Sequence, residues 1–311
     1  MIVLPLFMAF LLLALPGWSR PLGRRTDPRH WARAVTAALI AGLVALEGTL
    51  ALLAAPTVLR ALGAPGLAAM CQRVLETIVP ASPITGWAAG AVAALLAGAF
   101  GWGIRQARGV ERSLRVEPWL GDHHDRGDHH LVVLPTGELL ALSLAGEPAQ
   151  VMVSEGLMKA LSPAQLEAVL THEEAHLRHG HRRYLLLGTA VQQALGFLPF
   201  VRRSVAALRL AIERWADEEA AAAAPGGRAA VRQALGALAT AAVAPGVAAF
   251  GWADTVLERV RALACPEGPE EGQGVLAYGP VVALGLAVLA FWGVWLGAAG
   301  SALAAGPLCL V

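Results

Sequence analysis

Charged and thiol side chains are scarce in this sequence. Only 15% of the 311 residues are Asp, Glu, Lys or Arg, and Lys159 is the sole lysine, whereas about a quarter of an average soluble domain is charged. With 56% hydrophobic residues, the chain is too apolar for a soluble enzyme and cannot be disordered. Cys71, Cys265 and Cys309 lack the close spacing of a metal knuckle or redox pair. The net charge of +1 gives no global field for nucleic acid, so no nucleic-acid partner is expected.

The sequence contains several long apolar segments. About 20 apolar residues suffice to cross a bilayer as a helix, and four segments are candidates: residues 1–17, 34–55, 84–104 and 279–302. In the first segment the positive charge follows the apolar run, which predicts an uncleaved span rather than a signal peptide. We therefore expect a multi-pass protein of the cell membrane, surrounded by the lipid bilayer.

The distribution of arginine predicts the orientation of these spans. Arg-rich loops follow the first and third spans, whereas the loop after the second holds only Arg60 and Arg73, opposed by Glu76. Arginine marks the cytoplasmic side of short loops. The N-terminus is therefore predicted outside and residues 105–278 inside.

Two polar features each allow two interpretations. Glu47, within the second span, is either protonated or hydrogen-bonded to a neighbouring helix, or it belongs to a substrate path. Residues 122–130 contain four His and three Asp. They form either a solvated surface loop or a metal site.

A capping box predicts the start of the helix that carries the candidate site. Ser162 is followed by Pro163 at the first helical position and by Gln165 three residues on. The helix should extend from residue 163 to about residue 180. Within it lies the sequence Thr171-His172-Glu173-Glu174-Ala175-His176.

His172 and His176 are one helical turn apart, so both imidazoles project from one face. In this H-E-x-x-H arrangement the two His hold zinc, and the Glu between them, Glu173, can activate a water molecule. An ordinary charged helix surface is the alternative interpretation.

Glu213 is the preferred candidate for a third ligand. It begins the sequence Glu213-Arg214-Trp215-Ala216-Asp217, in which the two carboxylates share one helix face. Asp217 could hydrogen-bond the outer nitrogen of a zinc-binding His. An exposed acidic helix end is the alternative, because Glu218 and Glu219 follow directly.

Other zincin classes fit the sequence less well. A metzincin needs Gly and then a third His after the motif, but His179 and Arg182 occupy those positions. His179 lies about 10 Å along the helix axis from His172. That separation is too large for both residues to bind one ion.

The H-E-x-x-H motif followed by E-x-x-A-D between apolar segments resembles integral-membrane zinc metallopeptidases. Two related groups are similar: the HtpX and CAAX-prenyl endopeptidases, and the BlaR/MecR-type beta-lactam sensor-transducer peptidases. The similarity covers about residues 130–263, including the segment 153–162 that leads into the zinc helix. It implies one Zn²⁺ per chain on His172, His176 and Glu213, with Glu173 as catalyst.

The order of spans is nearer to the BlaR/MecR type, with three spans before the catalytic segment and one after it. Antibiotic sensors of that type carry a large extracellular penicillin-binding domain after the last span. This sequence ends at Val311, so direct beta-lactam sensing is not expected.

The expected fold is mainly α: a multi-pass transmembrane helical protein with a gluzincin-like helical catalytic domain and a small β element. The β element is predicted at residues 131–134, 139–144 and 150–153. Four regions are expected: a membrane region over 1–105, a cytoplasmic metallopeptidase domain over 106–264, an acidic linker over 265–278, and a final span region over 279–311.

The expected function is a zinc endopeptidase that cleaves protein or peptide substrates, including membrane-associated ones, at the cytoplasmic face. The alternatives are a non-catalytic zinc-containing signalling or binding protein, and a structural membrane protein with a chance motif. Zinc without turnover would indicate the first alternative, and no stoichiometric zinc the second.

The long interval between the two motifs predicts a helical hairpin. Glu213 follows His176 by 37 residues, yet both must reach one ion. The chain should turn at Pro199, with a helix break near Gly180 or Gly188. The apolar run 184–201 would then enter the membrane and return to the same side.

Overall fold

The computed structural model describes residues 3–19, 23, 25–76, 82–114, 121–242 and 250–264. The predicted acidic linker, 265–278, and the predicted last span, 279–302, lie outside the described residues. The helices are α1 Val3–Trp18, α2 Pro28–Ala61, α3 Pro65–Glu76, α4 Pro83–Ser113, α5 Glu155–Ala160, α6 Pro163–Arg178, α7 His181–Leu195, α8 Pro199–Ala223, α9 Gly227–Ala242 and α10 Phe250–Ala264.

One small sheet accompanies the helices, which makes the fold mainly α with a β element, as predicted. Its strands are β1 Asp122–Asp125, β2 His130–Leu134, β3 Ala141–Leu144 and β4 Gln150–Ser154, in the order β1-β2-β4-β3. Strand β4 is parallel to β2 and antiparallel to β3. Strand β3 therefore lies at an edge of the sheet.

Two details of the sheet differ from the sequence-based expectation. The interpretation of residues 122–130 as a loop throughout is wrong, because β1 pairs with β2 in antiparallel register. Strands β2 and β3 flank a turn-forming cluster, but β4 lies between them. A local turn signal cannot reveal that a later strand inserts between two earlier ones.

Helix α6 begins as its capping box predicts. The Gln165 backbone N–H donates to Ser162 Oγ, and the Ser162 backbone N–H donates to Gln165 Oε1. The α-helix ends at Arg178, and Gly180 adopts a left-handed φ of 59°. This backbone conformation favours glycine, and it separates α6 from α7 at one of the two predicted positions.

Two of the described helices, α2 and α4, are long and apolar enough to cross a membrane, and α1 contains a shorter apolar stretch, Leu6–Trp18. They coincide with the predicted second, third and first spans. Helix α4 leaves large apolar side chains exposed, among them Trp87, Leu95 and Trp102.

The largest hydrophobic core joins α1 and α2 to the hairpin formed by α7 and α8. Leu13, Leu39, Val191 and Leu208 are all fully buried within it. Ser204 of α8 adds a polar anchor, since its hydroxyl donates to the Leu13 carbonyl and accepts from the Gly17 N–H. Helix α8 is thereby held firmly where its far end delivers the second motif.

Candidate metal centre and cleft

Helices α6 and α8 pack together and bring the two sequence motifs to one point. The Nε2 atoms of His172 and His176 lie 3.2 Å apart. The Glu213 carboxylate faces both, with its Oε2 3.6 Å from His172 Nε2 and its Oε1 3.7 Å from His176 Nε2. These three residues form a group that could hold a metal ion.

The spacing of these three atoms fits a zinc ion. Nitrogen and oxygen ligands lie about 2.0–2.1 Å from zinc in a tetrahedral arrangement, which places neighbouring ligand atoms about 3.3 Å apart. The observed separations of 3.2, 3.6 and 3.7 Å agree with that value. Three protein ligands leave one tetrahedral position open, as in catalytic rather than structural zinc sites.

A buried ion pair between Asp217 and Arg259 supports the candidate ligands, and both of its residues also line the adjoining cavity. Asp217 is 2% exposed, and its Oδ1 lies 3.1 Å from His172 Nδ1. Arg259 of α10 donates through Nε and Nη2 to the two Asp217 oxygens, at 2.8 and 2.6 Å. Its Nη1 lies 2.9 Å from Glu213 Oε2. One guanidinium therefore orients both carboxylates.

The second histidine has a different neighbour. His176 Nδ1 lies 2.9 Å from Nδ1 of His181, the first residue of α7. Burial and the nearby His176 lower the pKa of His181 to about 3. Within the described residues its other nitrogen, Nε2, is buried without a hydrogen-bond partner.

Charge interactions separate the pKa values of the remaining groups. Burial opposes ionisation of Glu213 and Asp217, but His172 and Arg259 outweigh it and hold both carboxyl pKa values below their usual range. Burial lowers the pKa of His176, as does the nearby His172. Burial also lowers the pKa of His172, yet its contacts with Asp217 and Glu213 raise it to about 10. A cation that binds at Nε2 must displace that proton.

A cavity of about 620 Å³ opens beside His172 and Glu213. Glu173 lines it beside His172, and residues 138–141 at the start of the edge strand β3 form one wall. Helix α9 supplies an opposite apolar wall of Val231, Ala234, Leu235 and Leu238. The cavity is thus bordered by a strand edge on one side and aliphatic side chains on the other.

The remaining candidates from the sequence lie elsewhere. His179 directly follows α6, with its Nε2 3.3 Å from Glu219 Oε1, and it is not part of the metal-competent group. Glu218 forms an ion pair with Arg228 of α9. In the run 122–130, the described contacts include His129 Nε2 at 3.5 Å from Glu174 Oε1. None of these contacts brings a further side chain into the three-residue group.

Two residues of the site, Arg259 and His181, were missed by the sequence analysis. Arg259 follows Asp217 by 42 residues and belongs to no local motif. His181 follows His176 by five residues, and on an unbroken helix positions i and i+5 point about 140° apart. For His181 the sequence did contain a signal, namely the predicted helix break near Gly180. For Arg259 it contained none.

Residues 140–250 match the model of Peptidase family M48. The matched segment, about a third of the chain, contains α6 and α8 with all three candidate ligands, whereas Arg259 lies beyond it. No curated protein and no solved structure matches the chain. The match supports a zinc metallopeptidase family and indicates a hydrolase that acts on protein or peptide substrates.

Proposed function

We propose that this chain is a membrane-embedded zinc endopeptidase that hydrolyses peptide bonds at the cytoplasmic face. The observation that carries the proposal is the convergence of His172 Nε2, His176 Nε2 and the Glu213 carboxylate within 4.8 Å of one another. Glu173 lines the same cavity as His172 and Glu213. The donor set is that of a catalytic zinc site with an open fourth position.

His172, His176 and Glu213 would hold the ion, and Asp217 would orient His172. When bound there, zinc supplies the polarisation that makes a water molecule nucleophilic near neutral pH. Asp217 Oδ1, 3.1 Å from His172 Nδ1, would accept the proton of that nitrogen, which would leave the lone pair of Nε2 free for the ion. Arg259 holds Asp217 in this orientation through two hydrogen bonds.

Glu173 would act as the general base. Glu173 precedes His176 by three residues. It lines the cavity and does not belong to the three-residue group. Its carboxylate takes the proton of the water that attacks the peptide carbonyl, and it then delivers that proton to the leaving amine. The C–N bond of the peptide then breaks, which releases a carboxylate and an amine.

The cavity walls favour an extended substrate. Within the described residues strand β3 pairs with β4 alone, and residues that lead into it line the cavity. An extended peptide can add to a free strand edge by backbone hydrogen bonds, with alternate side chains directed into pockets. The aliphatic wall from α9 then favours an apolar substrate side chain.

The proposed location rests on α2 and α4 and on the position of the site relative to α4. Arg182, directly after His181, forms an ion pair with Glu111 near the end of α4, with Arg182 Nη2 at 2.7 Å from Glu111 Oε2. That end of α4 carries Arg105, Arg108 and Arg112, which mark the cytoplasmic side. The order of apolar segments favours a relative of the BlaR/MecR type over the HtpX type.

The decisive test compares Glu173→Gln with Glu174→Gln in purified full-length protein. Glu173→Gln should keep zinc at the wild-type level and lose about 10²–10⁴-fold in peptide cleavage, because it removes only the general base. Glu174 pairs with His129 and Arg178, so Glu174→Gln should retain cleavage. Cleavage is followed with a fluorogenic casein, and zinc by metal analysis.

The outcomes separate the candidate functions. Undiminished cleavage by Glu173→Gln would contradict the mechanism. Stoichiometric zinc in a wild-type protein that cleaves nothing would indicate the non-catalytic zinc protein. A wild-type protein without zinc would leave the motif as a chance occurrence.

A further inference from the structure

The two zinc-binding imidazoles have outer partners of different charge. His172 Nδ1 faces the carboxylate of Asp217 at 3.1 Å. His176 Nδ1 instead faces Nδ1 of another imidazole, that of His181, at 2.9 Å. The His181 side chain is fully buried, with 0% exposure, so water does not compete for this contact.

The positions of the protons follow from the ligand role of His176. Its Nε2 lies with His172 Nε2 and Glu213, and a nitrogen that binds a metal must keep its lone pair free of a proton. The ring proton of neutral His176 therefore sits on Nδ1, the nitrogen that faces His181. His181 Nδ1 must then accept, and its own proton is left on Nε2.

We infer that His181 is a positioning residue: its Nδ1 accepts the Nδ1 proton of His176 at 2.9 Å and thereby holds the tautomer and ring orientation in which His176 binds zinc through Nε2. The inference rests on the proposed function, and it adds a residue that neither H-E-x-x-H nor E-x-x-A-D contains. The acceptor is uncharged, in contrast to the carboxylate behind His172.

The surrounding packing explains how a residue outside the zinc helix reaches this position. The left-handed φ of 59° at Gly180 redirects the chain after α6, so the first side chain of α7 lies beneath His176. The His181 ring is enclosed by Trp215 and Tyr184, with ring centroids 4.6 and 6.4 Å away. Trp215 belongs to α8, between the candidate ligand Glu213 and Asp217. Helix α8 therefore supplies the candidate ligand Glu213 and also holds His181 against the candidate ligand His176.

The other nitrogen of His181, Nε2, is buried as well. It has no hydrogen-bond partner among the described residues. When Nδ1 accepts the proton of His176, the single proton of a neutral His181 ring is on Nε2.

The test measures zinc affinity of the full-length protein by competition with a chromophoric chelator, without substrate. His181→Leu keeps the volume and removes the acceptor, so affinity should fall about 10–100-fold, as for other outer partners of zinc-binding His. His181→Asn places an amide oxygen near the position of Nδ1 and should restore affinity to within about threefold. His179→Leu is the matched control: its ring stacks on His181 with centroids 5.8 Å apart, but its Nε2 faces Glu219 instead of His176. It removes a ring neighbour of His181 without removing the acceptor, and it should bind zinc as wild type does.

A spectroscopic measurement separates positioning from packing. In the zinc-loaded wild type and in His181→Asn, the Nδ1 proton of His176 should give a slowly exchanging downfield imidazole N–H signal, and this signal should be lost in His181→Leu. Equal affinities of wild type and His181→Leu would overturn the inference, as would an equal loss in the Leu and Asn variants. If His181→Leu does not fold, absence of the signal in wild type would overturn it. A wild-type protein that binds no zinc would overturn the proposed function together with this inference.

Discussion

Helices α4 and α8 are both long and rich in apolar residues, but they direct these residues oppositely. Helix α4 leaves Trp87, Leu95 and Trp102 exposed, whereas α8 buries Leu208 and Trp215. The exposed apolar face of α4 is consistent with the proposed location in a lipid bilayer, which is an apolar solvent. The apolar face of α8 instead packs against α1, α2 and α7, and this packing positions its polar end.

The comparison shows what apolar packing does for the metal centre. Asp217 and Ser204 are buried polar residues on α8, and both have partners on other helices. Buried polar groups that lose a partner are costly. These two contacts fix the position of α8 against its neighbours. Glu213 is therefore held close to the histidines of α6.

The largest effect is expected from Glu213→Ala on α8. The variant removes one of three ligands and should lose most bound zinc together with peptide cleavage. Metal analysis after dialysis measures the first quantity, and a fluorogenic casein the second. Glu218→Ala is the matched control, because Glu218 pairs with Arg228 outside the three-residue group and should retain both. Full zinc occupancy in Glu213→Ala would contradict the assignment and reopen the case for His179.

A smaller loss is expected from Asp217→Asn, four residues further along α8. The amide keeps the volume but removes the charge that faces His172 and Arg259. Zinc affinity should weaken about 10–100-fold, the usual cost of removing such a partner. Chelator competition measures this affinity, with Glu218→Gln as the control, since this partly buried carboxylate pairs with Arg228 outside the three-residue group. Unchanged affinity in Asp217→Asn would show that packing alone orients His172.

The comparison of the two helices is tested directly by the pair Leu208→Ala and Leu95→Ala, which contact no candidate ligand and should alter stability rather than zinc binding. Leu208 is 0% exposed and Leu95 is 72% exposed. The buried truncation should lower the free energy of unfolding by about 2–5 kcal/mol. The exposed one should change it by about 0.5 kcal/mol or less. Thermal unfolding in detergent compares them, and an equal fall in both midpoints would show that a further segment covers the exposed face of α4.

Local patterns predicted much of the site and of the elements around it. The capping box of Ser162 and Gln165 marked the start of α6, and Gly180 and Pro199 marked the break before α7 and the start of α8. These signals are local because helix caps and proline act within one turn. Helix α3 and the insertion of β4 between β2 and β3 were not predicted, since strand order depends on contacts distant in sequence.

The sequence by itself determined which side chains can share a helix face: His172 with His176, and Glu213 with Asp217. The reason is that the helical period alone sets those relations. Only the tertiary structure decided that the two faces meet, that Arg259 joins both carboxylates, and that His181 lies behind His176. Those contacts depend on how α8 and α10 pack and on one left-handed glycine. Packing is a property of the whole core, which no single segment of the sequence specifies.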